Sequence, residues 1–205
     1  MIMNDREYRN FQSFTIEKRE EEEAEHYKVR GYASTFDRYV LYDDGVSIVY
    51  EQIDKNAFDD ADMSDVIFLY NHQGMVYARQ KNGTLSLSVD EHGLLSEADL
   101  SSTSGSRELY EAIRSGLIDQ MSFAFTVADD DYDPKTHTRT IHRISKVYDV
   151  SPVSIPANPG TDIAAVSARS YFDGVIEAER AERLAKEKAL ALAKAKYYYM
   201  EVKND

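Results

Sequence analysis

The chain has 205 residues, 42% of them hydrophobic, enough for one domain of ordinary size plus an appendage. Its formal net charge of −13 argues against a general nucleic-acid binder, which needs a basic face to neutralise phosphates. It has no cysteine, which excludes disulfides, thiolate metal sites and a cysteine nucleophile.

The N-terminus "MIMNDREYRNFQ" is charged from Asp5 onward and has no apolar core, so no signal peptide is expected. No apolar run approaches the roughly 18 residues of a membrane span, and no membrane partner is expected. The first predicted strand is Phe11 to Lys18. The acidic run Glu20 to Glu23 then reads as a solvated hairpin loop, and "HYKVRGYAST" as the second strand. "VSIVYEQI" is a third. "DKNAFDDAD" reads as a short helical turn capped by Asp54. "DVIFLYNHQG" is a buried strand that ends in a polar turn and delivers Asn71 and His72 to its end.

"KNGTLSLSVDEHGLLSEADL" predicts two strands about a turn at "DEHG", with Leu85, Leu87 and Val89 on a half-buried face. "SSTSGSRELYEAIRSGLID" is the clearest core helix. Ser104 or Ser106 can cap it, Tyr110, Ile113 and Leu117 share a face, and Gly116 sits near the C-cap. In "DQMSFAFT", Asp119 to Thr126, the large apolar Met121, Phe123 and Phe125 alternate with the small Ser122, Ala124 and Thr126. A small face with one hydroxyl is either an edge or surface face, or a nucleophile with room beside it for a substrate. "ADDDYDPKTHTR" predicts a hairpin turn, and the strand "RTIHRISKVYDVSPVSI" returns to Pro156. Residues 175 to 196 are rich in Ala, Glu and Lys, without Gly or Pro, and predict one long helix with a thin apolar stripe. The expected domains are therefore residues 1–170 and a helical tail, 171–205.

Three polar residues stand at the ends or small faces of apolar strands: His72, Ser122 and Asp149. A serine is a poor nucleophile at neutral pH without an adjacent base. A histidine supplies one, and a carboxylate fixes the imidazole tautomer and stabilises the imidazolium. Spacing and chain order alone do not assign a triad, because triads recur in several orders. No G-x-S-x-G elbow is present. The expected oxyanion donors are backbone N–H groups of "SIPANPG", at Ile155, Ala157 and Asn158, on a loop stiffened by Pro156 and Pro159. Asp129, Asp131 and Asp133 open like a calcium loop. However, the loop lacks the required Gly, and Thr140 stands where the bidentate Glu belongs, so a hairpin turn is expected. His26, His92 and His137 fall in predicted turns. Arg79 is either a substrate-binding or a core-pairing arginine. No metal or cofactor is expected.

Six segments, in order across roughly residues 28 to 165, resemble the tailed-phage prohead serine proteases of the HK97 type. They are "VRGYASTFD", "YEQIDKNAFDD", "FLYNHQ", "ARQKNGTLSLSVDEHGLLSEADL", "SGLIDQMSFAFTV" and "YDVSPVSIPANPGTDIA". The resemblance implies an α+β, herpesvirus-protease-like fold: a mainly antiparallel β-barrel with helices packed around it, here with the C-terminal helical tail added. It places the catalytic histidine on His72, the nucleophile on Ser122 and the acidic member on Asp149. The related herpesvirus enzymes use a second histidine as third member, which makes His142 the alternative. The family usually has Gly where Ala124 stands and often Glu where Asp149 stands.

The implied function is a serine endopeptidase that cleaves scaffold or capsid protein, and itself, inside the prohead in the host cytoplasm. Its expected partners are the phage major capsid protein and scaffold, together with further copies of the chain. The helical tail would serve as a tether or a self-cleavage target. The alternative is a catalytically silent capsid-assembly or scaffolding protein that retains the protease fold.

Overall fold

The computed structural model describes residues 6–11, 14–15, 27–43, 45–154, 177–178 and 180–194. The chain divides into two units, Met1–Ala165 and Val166–Asp205.

In the first unit, alternating burial builds two sheets. The strands are β1 (Glu7–Phe11), β2 (Phe14–Thr15), β3 (Lys28–Thr35), β4 (Tyr39–Asp43), β5 (Ile48–Ile53), β6 (Ile67–Tyr70), β7 (Gln73–Arg79), β8 (Leu85–Val89), β9 (Gly93–Asp99), β10 (Gln120–Asp133) and β11 (Thr138–Val153). One sheet runs β1-β10-β11-β5-β4, and β6 also pairs with β11 and carries β7. The other runs β2-β3-β9-β8. Most pairs are antiparallel, but β5 and β6 both lie parallel to β11, one beside each end of that long strand. Between them, Asp62 bridges Lys146.

The two sheets share one core. Val29 and Ala33 of β3, Leu85 of β8 and Leu94 of β9 pack into the same cluster as Phe68, Met121, Phe123, Phe125, Ile141 and Ile144. The Phe123 and Phe125 rings stack 4.3 Å apart on the core side of β10. At Gly93 a β-carbon would meet the Ser34 carbonyl oxygen at 1.9 Å, so only glycine allows β9 to approach β3 there.

The expected closed barrel is corrected: the sheets are not closed into a barrel. The strand alternation is the same whether a half-buried strand lies in a barrel or in two stacked sheets, so periodicity could not have separated them. The resemblance also implies helices packed around the strands. Among the described residues of this unit there is one α-helix, α1 (Ser104–Arg114), which buries Leu109 and Ile113. Its N-cap is Thr103, whose hydroxyl accepts from the Ser106 N–H, rather than Ser104 or Ser106. Leu117 does not share the buried face. It lies past the helix end, 78% exposed, beyond Gly116 with its φ of +76°.

"DKNAFDDAD" forms successive turns, not a helix, although Asp54 does accept from the Asn56 N–H. Of the first predicted strand, Phe11 to Lys18, the described residues are strand: Phe11 ends β1, which starts at Glu7, and Phe14–Thr15 form β2. The "ADDDYDPKTHTR" turn is shorter than expected, because β10 continues to Asp133. The acidic run Glu20 to Glu23 lies outside the described residues. The second unit contains a helix over 180–194. Its stripe residues Leu184, Leu190 and Leu192 are exposed, and Lys186 pairs with Glu182 one turn away at 2.7 Å.

Candidate active site

β10 and β11 set the floor of the site. Their register places Ser122 opposite Ser151 and Ala124 opposite Asp149. On the other side of β10, β1 places Asn10 opposite Ser122 and Tyr8 opposite Ala124. The small face of β10 is therefore neither an edge nor a surface. Ser122, Ala124 and Thr126 are all buried, and Ser122 has no solvent exposure.

His72 comes from above. β6 and β7 are joined by two residues, Asn71 and His72, with Tyr70 paired to Gln73. Their φ angles are +51° and +57°. Positive φ at both loop positions is the type I′ hairpin, whose twist matches the strands. Asparagine suits the first position. Histidine at the second, where glycine is usual, carries a backbone cost of about 1–2 kcal/mol. Hydrogen bonds of Asn71 tie the turn to the end of β11. Asn71 N–H donates to the Pro152 carbonyl at 3.1 Å, Ser154 N–H donates to Asn71 Oδ1 at 3.0 Å, and Asn71 Nδ2 donates to Ser154 Oγ at 3.2 Å. β6 itself runs beside Asp149 and Val150.

The result is one hydrogen-bonded row. His72 Nε2 lies 2.6 Å from Ser122 Oγ, and His72 Nδ1 lies 2.5 Å from Asp149 Oδ1. Asp149 is 2% exposed, so its carboxylate requires partners. It has a second one in Ser151, whose hydroxyl donates to the same Oδ1 at 2.8 Å. The Tyr8 ring meets the His72 ring edge-on, with centroids 4.6 Å apart. With Nδ1–H donated to the carboxylate, Nε2 is left to accept the Ser122 proton. This arrangement can activate a hydroxyl nucleophile and return the proton to a leaving group.

His142 has a different partner. Its Nε2 lies 3.1 Å from Asp131 Oδ1 and its side chain is 42% exposed. It stands seven residues before Asp149, roughly 20 Å along an extended strand. Of the two candidates for the third position, Asp149 is the one hydrogen-bonded to His72. Ile155, Ala157 and Asn158 lie outside the described residues. Arg79 is not a core-pairing arginine: it is exposed and pairs with Asp65 at the surface. No metal-holding cluster occurs among the described residues. Ser151, Ser154 and Tyr8 were not singled out from the sequence, and Asn71 was placed at the strand end without its role as a clamp. Ser151 had a signal, because it stands two residues from Asp149 and so on the same strand face.

Behind the strand floor lies a buried ion cluster. Glu51 on β5 is fully buried and accepts from Arg9, from Arg139 at 2.9 Å and from the Tyr39 hydroxyl. Glu7 accepts from Arg9 at 2.5 Å and from Arg139 at 2.6 Å, and Arg139 also reaches Asp130 at 2.6 Å. Burial pushes the Glu7 carboxyl up, but Arg9 and Arg139 override it and hold it at about 2. Burial likewise opposes ionisation of Glu51, and the two guanidinium groups bring it below the usual range. The cluster fastens β1, and with it Tyr8, to β5 and β11.

A family model described as caudovirus prohead serine protease matches residues 13–173. The prohead protease of Enterobacteria phage HK97 is 29% identical over 150 residues, which cover 73% of this chain and 64% of that relative. The chain thus spans a little under two thirds of the length of the curated relative it matches. No solved structure matches. The family match covers well over half of the chain, and the chain belongs to the caudovirus prohead serine proteases.

Proposed function

We propose that this member of the prohead protease family is a serine endopeptidase in which Ser122 attacks the scissile carbonyl. His72 takes the hydroxyl proton through Nε2 and delivers it to the leaving amine. Asp149 holds the imidazole by Nδ1 and stabilises the imidazolium. Water then repeats the cycle on the acyl-enzyme. The observation that carries the reading is the row from Ser122 Oγ through His72 to Asp149, at 2.6 and 2.5 Å. By family, the substrates are the scaffold or capsid protein and the chain itself, cut inside the prohead in the host cell. The backbone N–H groups at Ile155, Ala157 and Asn158 are the proposed oxyanion donors.

A second reading, a silent assembly protein on the same fold, has one observation in its favour. Ser122 is wholly shielded, and its strand is paired on both sides, by β1 and β11. For an enzyme this describes a latent state that opens before substrate enters. Intact-mass spectrometry over time, on concentrated wild type and on Ser122→Ala, tests the proposal. Trimming of the wild type alone supports it. If neither is trimmed, both are co-expressed with the capsid protein. Failure of the wild type to cut there overturns the enzyme in favour of the assembly protein.

A further inference from the structure

We infer that Ser151 is a positioning residue for this site, acting through Asp149. The inference rests on the catalytic reading above. Ser151 Oγ donates to Asp149 Oδ1 at 2.8 Å, and that same oxygen faces His72 Nδ1 at 2.5 Å. A carboxylate on a short side chain turns about a broad, nearly two-fold final torsion, so the strand backbone alone does not select which oxygen faces the imidazole. Ser151 makes that selection. It stands two residues from Asp149, so hydroxyl and carboxylate leave the same face of β11 and share one backbone frame.

Its setting is specific. Ser151 is fully buried and lies directly across the ladder from Ser122. On β11 it sits between the buried Val150 and Val153. An alanine would pack there without a polar group to satisfy, and a buried hydroxyl is unfavourable unless bonded. The bond it makes goes to the one carboxylate oxygen that meets the imidazole.

A role confined to satisfying the buried carboxylate would alter stability and leave the chemistry of the folded protein unchanged. Positioning predicts more. The test compares full-length wild type, Ser151→Ala, Ser151→Thr and Ser122→Ala as reacted with a fluorophosphonate, a reagent that phosphonylates an activated serine. Labelling is mapped by mass, and folding is checked by thermal unfolding. A second measurement follows the downfield proton resonance of the His72 Nδ1–H in the hydrogen bond to Asp149.

In Ser151→Ala the saturating labelling rate of Ser122 falls about ten- to a hundredfold, the range expected for a lost hydrogen bond to a charged group. The half-saturating reagent concentration stays the same. The Nδ1–H resonance broadens or disappears, and Ser151→Thr, which keeps the hydroxyl, restores both. If the wild type is labelled and Ser151→Ala matches it in rate and resonance, the inference is overturned and the catalytic reading stands. If Ser122 in the wild type is never labelled, even in assembled proheads, the catalytic reading falls and takes the inference with it.

Discussion

Ala124 stands directly opposite Asp149 across the β10–β11 ladder. Directly opposed side chains have Cβ atoms about 4.5–5.5 Å apart, so a large residue here would compete with the carboxylate and with the imidazole it holds. Tyr8 flanks the same alanine from β1 and touches the His72 ring. The smallness of this face of β10 is therefore a requirement of the His72–Asp149 contact. Ala124→Leu should lower the cleavage rate at least about tenfold and destabilise the fold by about 1–3 kcal/mol through overpacking. Ala124→Gly should retain activity at a loss of about 0.5–1 kcal/mol. Cleavage rates and thermal unfolding of the two variants check both. Equal activity in Ala124→Leu would show that the space is not used.

Asp149→Asn keeps the shape of the site and reverses its hydrogen bonding. The amide can present N–H to His72 Nδ1, which places the imidazole proton on Nε2, where it cannot accept from Ser122. The corresponding exchange in a well-studied serine protease triad lowers kcat about 10⁴-fold. A loss of about 10³–10⁴-fold is expected here, with the fold intact by circular dichroism. His142→Ala should leave the rate within about twofold, since His142 is bonded to Asp131 at the surface. If the two variants exchanged these outcomes, the third member would be His142.

The αL backbone at His72 gives a stability test that is separate from activity. His72→Ala and His72→Gly both remove the imidazole, both leave Asp149 without that partner, and both should be inactive. They differ in backbone freedom. At a φ of +57° glycine is unstrained and alanine is not. His72→Gly should therefore be the more stable of the two by about 1 kcal/mol, although glycine is ordinarily the more destabilising choice. Urea midpoints at equal slope measure the difference. The opposite order would mean that the turn relaxes once the ring is gone.

The cluster of Arg9, Glu7, Glu51 and Arg139 predicts both a mutational and a pH effect. Removing one partner of a buried ion pair costs about 3–5 kcal/mol, because it leaves an uncompensated charge. Arg139→Ala should show a loss of that size in chemical denaturation. For the pH effect, Glu7 is held at about 2 in the folded chain against an ordinary 4.5. Its folded-state value is depressed, so its contribution is fully present above the unfolded value. It is lost as pH falls from about 4.5 towards about 2. The amount is on the order of 3 kcal/mol. Glu7→Gln should flatten that acid limb of the stability curve, and an unchanged limb would place the acid lability elsewhere.

Several features of the molecule were legible in the chain. The alternation of Met121, Phe123 and Phe125 with Ser122 and Ala124 identified β10, because a period of two is a direct imprint of the strand backbone. The apolar run ending at "NHQ" put His72 at a strand end for the same reason. The six ordered segments identified the family. Other features depended on which strands become neighbours. That Ser122 is walled in by β1 and β11, that Ser151 bonds Asp149 Oδ1, and that Glu51 is buried among two arginines are statements about ladder register and distant pairs. A pattern of burial leaves these open. The barrel expectation failed at that level, since closure depends on which edges meet and not on what any strand looks like.

By itself, then, the sequence singled out His72, Ser122 and Asp149 as polar residues on apolar strands, because strand periodicity acts locally, and the family resemblance supplied the roles proposed for them. Tertiary structure decided that His72 reaches Ser122 and Asp149 at bonding distance. That contact requires a two-residue hairpin with both φ positive, clamped by Asn71 to the end of β11, and such a contact between segments 50 and 77 residues apart exists only once the sheet has formed.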